Sequence, residues 1–580
     1  MSTDAAEQKR THRLHAWQID LIERTDRPDV RTHEGSVTGM NQGEGEVTIR
    51  QDHGRTWLYR VWESDRHPGR YHLYAPATGR IHEITSRQAA LLRADRWERP
   101  GRGGPQGATG APGGPEASEA SISEADIDEL ASLIVPFDGS GWQFPDLPPD
   151  ARLEQPRVRV LMLNPTEQCN IRCTYCYYGG AYPGTRPHQT ASPGSDMVRA
   201  AIDLFVTGEE RLEPAQRAVY FFGGEPLMAF DQLKESVLAL EERKKEVGSR
   251  LENLIVQVNT NGMLLTTEIV DFLVAHDIYL NISIDGPNHD RYRIDRRGKG
   301  THDRVRERAD WLAENRPDYF ASRVAVICVL SAPLDEGALY RYFSEWPTAL
   351  RALAWDFDLL LPGGEESYSD FQQMFAEQRR VWDLFVASHR LPYDERERSG
   401  RYRFAFSHGF LHRSFHRALN QPERSGGPRL GHLLGVQLVP GNEYLVLGSD
   451  GTLYSSYEYQ SPDFAVGHTD RGVDPLAGVE QLGMFRDAVQ AGSCRTCWAA
   501  PMCTVTVPEA PFRASDEDGT VREKVTAKRA RCMSERENLV QGLRARADIE
   551  TAFGPQALRG HQQDWARQAE GGSRVDYFNG

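Results

Sequence analysis

The sequence is poor in cysteine, with eight in 580 residues, and it has no run of about 18 or more apolar residues. A helix that spans a membrane needs such a run, so we expect no membrane span. The first residues, Met1–Arg13, are polar and lack the apolar centre of a secretory signal. We therefore expect a cytoplasmic protein. In that reducing compartment, cysteines favour metal binding over disulfides.

Positively charged residues are also fewer than negatively charged ones. There are 68 Lys and Arg residues against 83 Asp and Glu residues, which gives a net charge of −15. This balance argues against nucleic-acid binding as the main activity. The length of 580 residues and the hydrophobic content of 39% indicate several domains with real cores.

Three of the cysteines lie close together, in the stretch Cys169-Asn170-Ile171-Arg172-Cys173-Thr174-Tyr175-Cys176. The stretch follows an apolar run, Val158–Leu163, that predicts a buried strand. Cysteine thiolates bind soft iron and are the usual ligands of iron–sulfur cubanes. Three thiolates leave one iron of a cubane open, as a catalytic site requires. A zinc site or three unrelated core thiols are the alternatives. A further cysteine, Cys328, lies inside an apolar run, which predicts a core position.

Between residues 157 and 361, apolar segments of strand length alternate with amphipathic segments of helical length. The predicted strands are Val158–Leu163, Ala218–Phe222, Leu254–Val258, Ile278–Ser283, Val324–Leu330 and Leu353–Phe357. The predicted helices are Asp196–Phe205, Leu233–Val247, Thr267–His276 and Arg304–Glu314. Such alternation predicts an α/β fold with a parallel sheet and right-handed crossovers.

Polar motifs follow three of these strands. They are Gly223-Gly224-Glu225-Pro226, Asn259-Thr260-Asn261-Gly262 and Ser283-Ile284-Asp285-Gly286-Pro287. Glycines let a backbone approach a ligand closely, and a carboxylate such as Glu225 can accept hydrogen bonds from an ammonium group. Each motif is also compatible with an ordinary turn that satisfies its own backbone.

The cysteine spacing, with Tyr175 just before the third cysteine, resembles the signature of the radical S-adenosylmethionine (radical SAM) enzymes. The resemblance implies a partial (β/α)6 barrel over residues 157–361, with a [4Fe-4S] cluster on Cys169, Cys173 and Cys176. It also implies that S-adenosylmethionine binds the open iron and is cleaved to a 5′-deoxyadenosyl radical. By the same resemblance, the cofactor-binding residues are Tyr175, Gly223, Gly224, Glu225, Asn259, Asn261 and Ser283.

Four cysteines lie near the C-terminus: Cys494, Cys497, Cys503 and Cys532. A tetrahedral zinc site is compatible with their spacing. In the context of a radical SAM enzyme, residues 436–545 resemble the SPASM extension, and the four cysteines resemble the ligands of its outer auxiliary [4Fe-4S] cluster. The cysteines of the inner auxiliary cluster are missing, for example at Val507. We therefore predict one auxiliary cluster with every iron ligated, and two clusters in all.

Residues 14–97 are rich in strand formers and resemble the small winged-helix modules that bind leader peptides. The predicted strands are Thr56–Trp62, Arg70–Tyr74 and Arg80–Ile84, and Thr85 or Ser86 caps a following helix. A plain accessory domain is the alternative. Residues 99–120 predict a flexible linker, residues 362–435 a bridging helical region, and residues 546–580 a C-terminal tail.

The resemblance implies three candidate functions. The first is a peptide maturase that cross-links side chains of a ribosomally made precursor peptide by a C–C, thioether or ether bond. The second is an oxidation without a cross-link, as in sulfatase maturation, although Tyr457 and Glu458 depart from the motif of that group. The third is a non-catalytic binding or electron-transfer module. Both enzyme functions imply a flavodoxin- or ferredoxin-type reductant.

Overall fold

The computed structural model describes much of the chain, with gaps. The described residues are 36–41, 45–52, 55–93, 124–134, 137–138, 158–179, 186–207, 217–251, 254–329, 335–345, 353–356, 386–387, 418–419, 444–457, 460, 462–474, 476–478, 480–481, 497–503, 513–515, 521–523 and 525–558. The predicted linker 99–120 and nearly all of the predicted bridging region 362–435 lie outside them.

The N-terminal region forms an antiparallel sheet with two helices. Its strands are β1 (Ser36–Asn41), β2 (Gly45–Asp52), β3 (Arg55–Glu63), β4 (Tyr71–Ala75), β5 (Arg80–Ile84) and β6 (Phe137–Asp138). Its helices are α1 (Ser86–Arg93) and α2 (Glu124–Leu133). The order is β1-β2-β3-β4-β5, and β6 pairs with β3. The predicted β4–β5 hairpin is confirmed, and Thr85 caps α1 because its hydroxyl accepts from the Gln88 amide at 3.1 Å. The winged-helix likeness stays a prediction.

The central sheet carries the predicted α/β alternation. Its strands are β7 (Val160–Leu163), β9 (Arg217–Phe221), β10 (Leu254–Thr260), β11 (Tyr279–Ser283), β13 (Val324–Val329), β14 (Leu353–Asp356), β15 (Tyr444–Leu447), β16 (Thr452–Tyr454), β17 (Ala465–His468) and β18 (Gly472–Val473). Two further strands, β8 (Ile171–Cys173) and β12 (Arg293–Asp295), pair with each other outside this sheet. The helices in this part are α3 (Ser195–Thr207), α4 (Phe230–Val247), α5 (Thr267–Ala275), α6 (His289–Tyr292), α7 (His302–Asn315), α8 (Pro317–Arg323) and α9 (Glu336–Ser344).

The order of the central sheet is β14-β13-β11-β10-β9-β7-β15-β16-β17-β18, and its first seven strands run parallel. All six predicted strands and all four predicted helices between residues 157 and 361 are confirmed to within a few residues. Cys328 is confirmed as a core residue, because it is fully buried in β13.

Strands β15–β18 of the C-terminal region belong to the central sheet. Strand β15 pairs in parallel with β7, with Tyr444 opposite Val160, so the barrel sheet continues into the predicted extension 436–545. A last hairpin, β19 (Arg513–Ser515) and β20 (Val521–Glu523), precedes the long helix α10 (Val525–Phe553). Helix α10 runs past the predicted boundary at residue 545, so the first part of the predicted tail is helical.

The N-terminal sheet packs against the loop 497–503 and helix α10. The buried residues of this interface are Leu58, Trp62, Tyr74, Ala418, Trp498, Ala499, Ala500, Met502, Leu539, Val540, Leu543 and Ala547. The Arg60 guanidinium lies 4.1 Å from the centre of the Trp498 ring, and Ser64 donates to Asp548 at 2.8 Å. Burial of these apolar side chains stabilises the packing of the N-terminal sheet against the loop 497–503 and helix α10.

No helix in the described part of the chain is both long enough and apolar enough to cross a membrane.

Candidate active site

The three N-terminal cysteines occupy one loop at the carboxyl end of β7. Cys169 precedes the short strand β8, Cys173 ends it, and Cys176 follows in a turn whose amide donates to the Cys173 carbonyl at 3.1 Å. Burial raises the pKa of the Cys169 and Cys173 thiols to about 12 and that of Cys176 to about 11. Thiolates at such buried positions need nearby positive charge, which a bound metal supplies.

Each of these thiols has one polar side chain next to its sulfur. Asn261 Nδ2 lies 3.8 Å from Cys169 Sγ, and Arg293 Nη1 lies 3.8 Å from Cys173 Sγ. His188 Nε2 lies 3.7 Å from Cys176 Sγ. Asn261 and Arg293 direct N–H groups at their sulfurs, as is typical of iron–sulfur sites. His188 Nδ1 lies 3.2 Å from a backbone carbonyl and burial lowers the pKa of the ring, so the neutral ring donates from Nδ1 and not from Nε2. The surroundings of Cys169 and Cys173 therefore fit a cluster.

Within the described residues, no three His, Cys, Asp or Glu side chains converge as the ligands of a single metal ion do. In a cubane the three thiolates would bind three different irons, so this finding concerns only the alternative of a site for one metal ion, such as zinc.

The Gly-Gly-Glu-Pro turn after β9 packs directly on the segment that leads into Cys169. The Gly224 amide donates to the Thr166 carbonyl at 3.0 Å, and the Glu225 amide donates to the Gln168 carbonyl at 2.7 Å. A Cβ atom on Gly224 would lie 1.9 Å from the Gln168 carbonyl oxygen. The glycine is therefore required by the close approach of two backbones.

The carboxylate of Glu225 is fully buried and binds three donors of the protein. Oε1 accepts from the Leu227 amide at 3.1 Å and from the Thr260 hydroxyl at 2.7 Å, and Oε2 accepts from the Asn261 amide at 2.8 Å. Burial raises the pKa of Glu225 to about 7. The side chain thus joins the turn after β9 to the turn after β10, a structural role that the sequence did not indicate.

The two predicted asparagines differ in their surroundings. Asn261 donates to Asn170 Oδ1 at 2.7 Å and so contacts the cysteine loop. The Asn259 Oδ1 atom accepts from Asn281 at 2.8 Å, whereas its buried Nδ2 has no hydrogen-bond partner within the described part of the chain. An unpaired buried donor is costly, so Asn259 Nδ2 fits a ligand oxygen. Ser283 ends β11 and is partly buried.

A buried network on Asp285 was missed by sequence reasoning. Asp285 Oδ2 accepts from the Tyr175 hydroxyl at 2.5 Å and from Arg293 Nε at 2.8 Å, and Oδ1 accepts from the Val329 amide at 3.0 Å. Tyr175 therefore binds Asp285 with its hydroxyl. The signal was present in the run of charged residues after the third motif, which pairs with the cysteine loop as β12.

The C-terminal cysteines are described only in part. Cys497 and Cys503 begin and end the loop 497–503, which turns back because the Cys503 amide donates to the Ala499 carbonyl at 2.9 Å. Cys494 lies outside the described residues, and Cys532 lies on α10, where the structure describes the backbone alone. The auxiliary cluster on these four residues stays a prediction.

Tyr457, where the sequence departs from the sulfatase-maturase motif, lies next to aromatic side chains. The Tyr178 hydroxyl donates to the Tyr457 carbonyl at 2.8 Å, and the Phe222 and Tyr457 rings lie 5.6 Å apart. The Arg186 guanidinium lies 3.9 Å from the Tyr178 ring centre. Glu458 lies outside the described residues.

Comparisons with known proteins point to one family. Residues 163–331 match the family model of the Radical SAM superfamily. The serine-type anaerobic sulfatase-maturating enzyme of Bacteroides thetaiotaomicron is 28% identical over 182 residues, which are 30% of this chain and 41% of that enzyme. The radical SAM cyclopropyl synthase TigE of Paramaledivibacter caminithermalis is 24% identical over 150 residues, which are 24% of this chain and 30% of that protein.

A solved structure, native anSMEcpe with bound AdoMet, superimposes with a TM-score of 0.48 and 17% sequence identity over 68% of this chain and 99% of that chain. The chain covers less than half the length of the curated relatives that it matches.

Proposed function

Because residues 163–331 belong to the radical SAM superfamily, we propose that the chain is an oxidoreductase that modifies a side chain of a peptide or protein substrate. When bound, a [4Fe-4S] cluster with S-adenosylmethionine supplies a 5′-deoxyadenosyl radical that removes a hydrogen atom from the substrate. The observation that carries the proposal is the loop of three buried thiols, each with a polar side chain at its sulfur.

Some residues of the site would bind the cluster, and others would position S-adenosylmethionine. Cys169, Cys173 and Cys176 would hold the cluster. Gly223 and Gly224 let the turn after β9 approach closely. Further proposed contacts to S-adenosylmethionine come from Asn259 Nδ2, whose partner is missing among the described residues, and from Tyr175, Glu225, Asn261 and Ser283.

We propose a cross-linked product, with a C–C, thioether or ether bond between side chains of a precursor peptide. Oxidation without a cross-link is the second candidate, and the similarity to a sulfatase-maturating enzyme supports it. Loss of two hydrogens gives the same mass in both reactions. Fragmentation separates them, because a ring resists cleavage between the linked residues.

Other regions receive roles that follow from their chemistry. Cys494, Cys497, Cys503 and Cys532 would hold one auxiliary [4Fe-4S] cluster, which would be the first acceptor of the electron that leaves the substrate, and a flavodoxin- or ferredoxin-type reductant would supply the electron that cleaves S-adenosylmethionine. The leader of the precursor peptide would add a strand to β5, which pairs only with β4 among the described strands. Binding of a fluorescent leader peptide to the protein, and its loss when residues 14–97 are removed, tests that role.

The central test is replacement of a proposed ligand. In Cys173→Ala protein, rebuilt with iron and sulfide without oxygen, formation of 5′-deoxyadenosine under dithionite should fall to the background. Cys328→Ala is the matched control, because it removes a buried thiol of the core, and it should keep the wild-type rate. Undiminished cleavage in Cys173→Ala, or no cleavage by wild-type protein, contradicts the proposal and favours a non-catalytic module.

A further inference from the structure

Arg293 differs from the other two side chains that lie next to the cysteine sulfurs of the loop. Asn261 is neutral and His188 is a weak base, whereas a guanidinium stays positively charged at all physiological pH values. Arg293 Nη1 lies 3.8 Å from Cys173 Sγ, and its side chain is only 8% exposed. Its charge is therefore screened little by solvent.

The guanidinium is held in one orientation by its neighbours. Its Nε donates to Asp285 Oδ2 at 2.8 Å, and Asp285 itself is fully buried. The backbone of Arg293 pairs with Cys173 in the β8–β12 ladder. The Thr174 amide also donates to the Tyr292 carbonyl at 3.0 Å. The loop with the cysteine and the strand with the arginine are thus a single hydrogen-bonded unit.

The Asp285–Arg293 pair carries no net charge, but it is oriented. Its positive end points to the Cys173 sulfur, and its negative end points to the Tyr175 hydroxyl, which donates at 2.5 Å. A cluster becomes more negative by one electron when it is reduced. A positive end at short range in a buried site stabilises the reduced form more than the oxidised form.

We propose that Arg293, oriented by Asp285, is a positioning residue that directs a cationic N–H group at the Cys173 sulfur and so raises the reduction potential of the cluster on this loop. The inference rests on the proposed function, since it requires the cluster. It assigns to the segment after the third motif a role in controlling electron uptake.

The test is a redox titration of the full-length protein, rebuilt without oxygen and followed by electron paramagnetic resonance. The component whose spectrum changes when S-adenosylmethionine is added identifies the cluster with the open iron. At a fixed potential in the absence of S-adenosylmethionine, Arg293→Gln should lower the ratio of reduced to oxidised cluster about tenfold, or about 59 mV for one electron. Arg293→Lys keeps the charge and should restore part of the ratio.

Two further variants make the result specific. Asp285→Asn combined with Arg293→Gln removes both charges, which avoids leaving a buried carboxylate unpaired, and should also lower the ratio. Arg297→Gln is the control, because it removes a positive charge from the same segment at an exposed position, where solvent screens the charge. It should keep the wild-type ratio.

A double variant that binds iron normally and keeps the wild-type ratio overturns the proposal. So does an equal shift in Arg297→Gln, because any loss of positive charge on this segment would then have the effect. If the wild-type protein shows no component that responds to S-adenosylmethionine, the proposed function itself fails. The two failures are therefore distinguishable.

Discussion

Replacing Gly224 with alanine should break the contact between the Gly-Gly-Glu-Pro turn and the cysteine loop. The added Cβ would lie 1.9 Å from the Gln168 carbonyl oxygen and 2.3 Å from its carbonyl carbon. Both are backbone atoms, so no side chain can rotate away. The oxygen must retreat by about 1.5 Å to reach an ordinary contact of 3.4 Å.

The retreat of the Gln168 carbonyl has a calculable cost. It breaks the 2.7 Å hydrogen bond from the Glu225 amide and strains the 3.0 Å bond from Gly224 to Thr166. A lost hydrogen bond that leaves a buried group unpaired costs about 1–3 kcal/mol, and overpacking adds about 1–3 kcal/mol. We expect the free energy of unfolding to fall by about 2–6 kcal/mol. Because Cys169 follows Gln168 directly, iron binding should fall as well.

Urea denaturation of the rebuilt protein measures the stability, and iron and sulfide analysis measures the cluster. Gly194→Ala is the control, because its added Cβ would meet no atom within 4 Å. That variant should stay within about 0.5 kcal/mol of wild type. A Gly224→Ala protein with wild-type stability and wild-type iron content would show that the two backbones are not in contact.

Two other predictions concern stability. His289 accepts from the Asp285 amide through Nδ1 at 3.3 Å, and burial lowers its pKa to about 4. Because the unfolded chain takes up the proton first, near pH 6.5, the contribution of His289 to stability should fall by about 2 kcal/mol between pH 7.5 and pH 5. Glu225, whose pKa is raised, changes stability in the opposite direction over this range, so the measured quantity is the difference between wild type and His289→Gln in urea titrations at both pH values. The same pH dependence in the two proteins would contradict the assignment. Trp498→Ala should lower the free energy of unfolding by about 3–5 kcal/mol. It should also speed proteolysis of the chain between the N-terminal sheet and the barrel, whereas Leu476→Ala, at an exposed side chain, should change neither quantity. A Trp498→Ala protein that resists proteolysis as well as wild type would show that the interface does not hold the N-terminal sheet.

The barrel strands were predictable from sequence because they are buried on both faces. Strand β13, which contains Cys328 and three valines, consists of apolar residues throughout, and such a run has few alternatives. The cap of α1 was predictable for a local reason, since Thr85 and Gln88 bind each other three residues apart. The motifs at the strand ends were predictable because parallel strands end at the same edge of a sheet.

The pairing of β8 with β12 was not predictable by the same means. Each strand has three residues, and both contain arginine, so neither has a hydrophobic period. The partners Cys173 and Arg293 are 120 residues apart. The addition of β15 beside β7 is similar, because Asn164 reaches the Leu447 carbonyl across 283 residues. Contacts of this kind depend on the assembled sheet and leave no local pattern.

The net charge of the whole chain does not describe the charges around the cysteine loop. The net charge of −15 argues against a nucleic-acid surface, but it does not indicate that cations gather at the cysteine loop. Arg172 and Arg296 both donate to the Cys169 carbonyl, at 2.8 and 2.7 Å, and Arg293 reaches the Cys173 sulfur. A negatively charged cluster needs these cations close by, because burial removes the water that would otherwise stabilise its charge. The local field therefore follows from which arginines the β8–β12 pairing brings together, and the net charge of the chain does not reveal it.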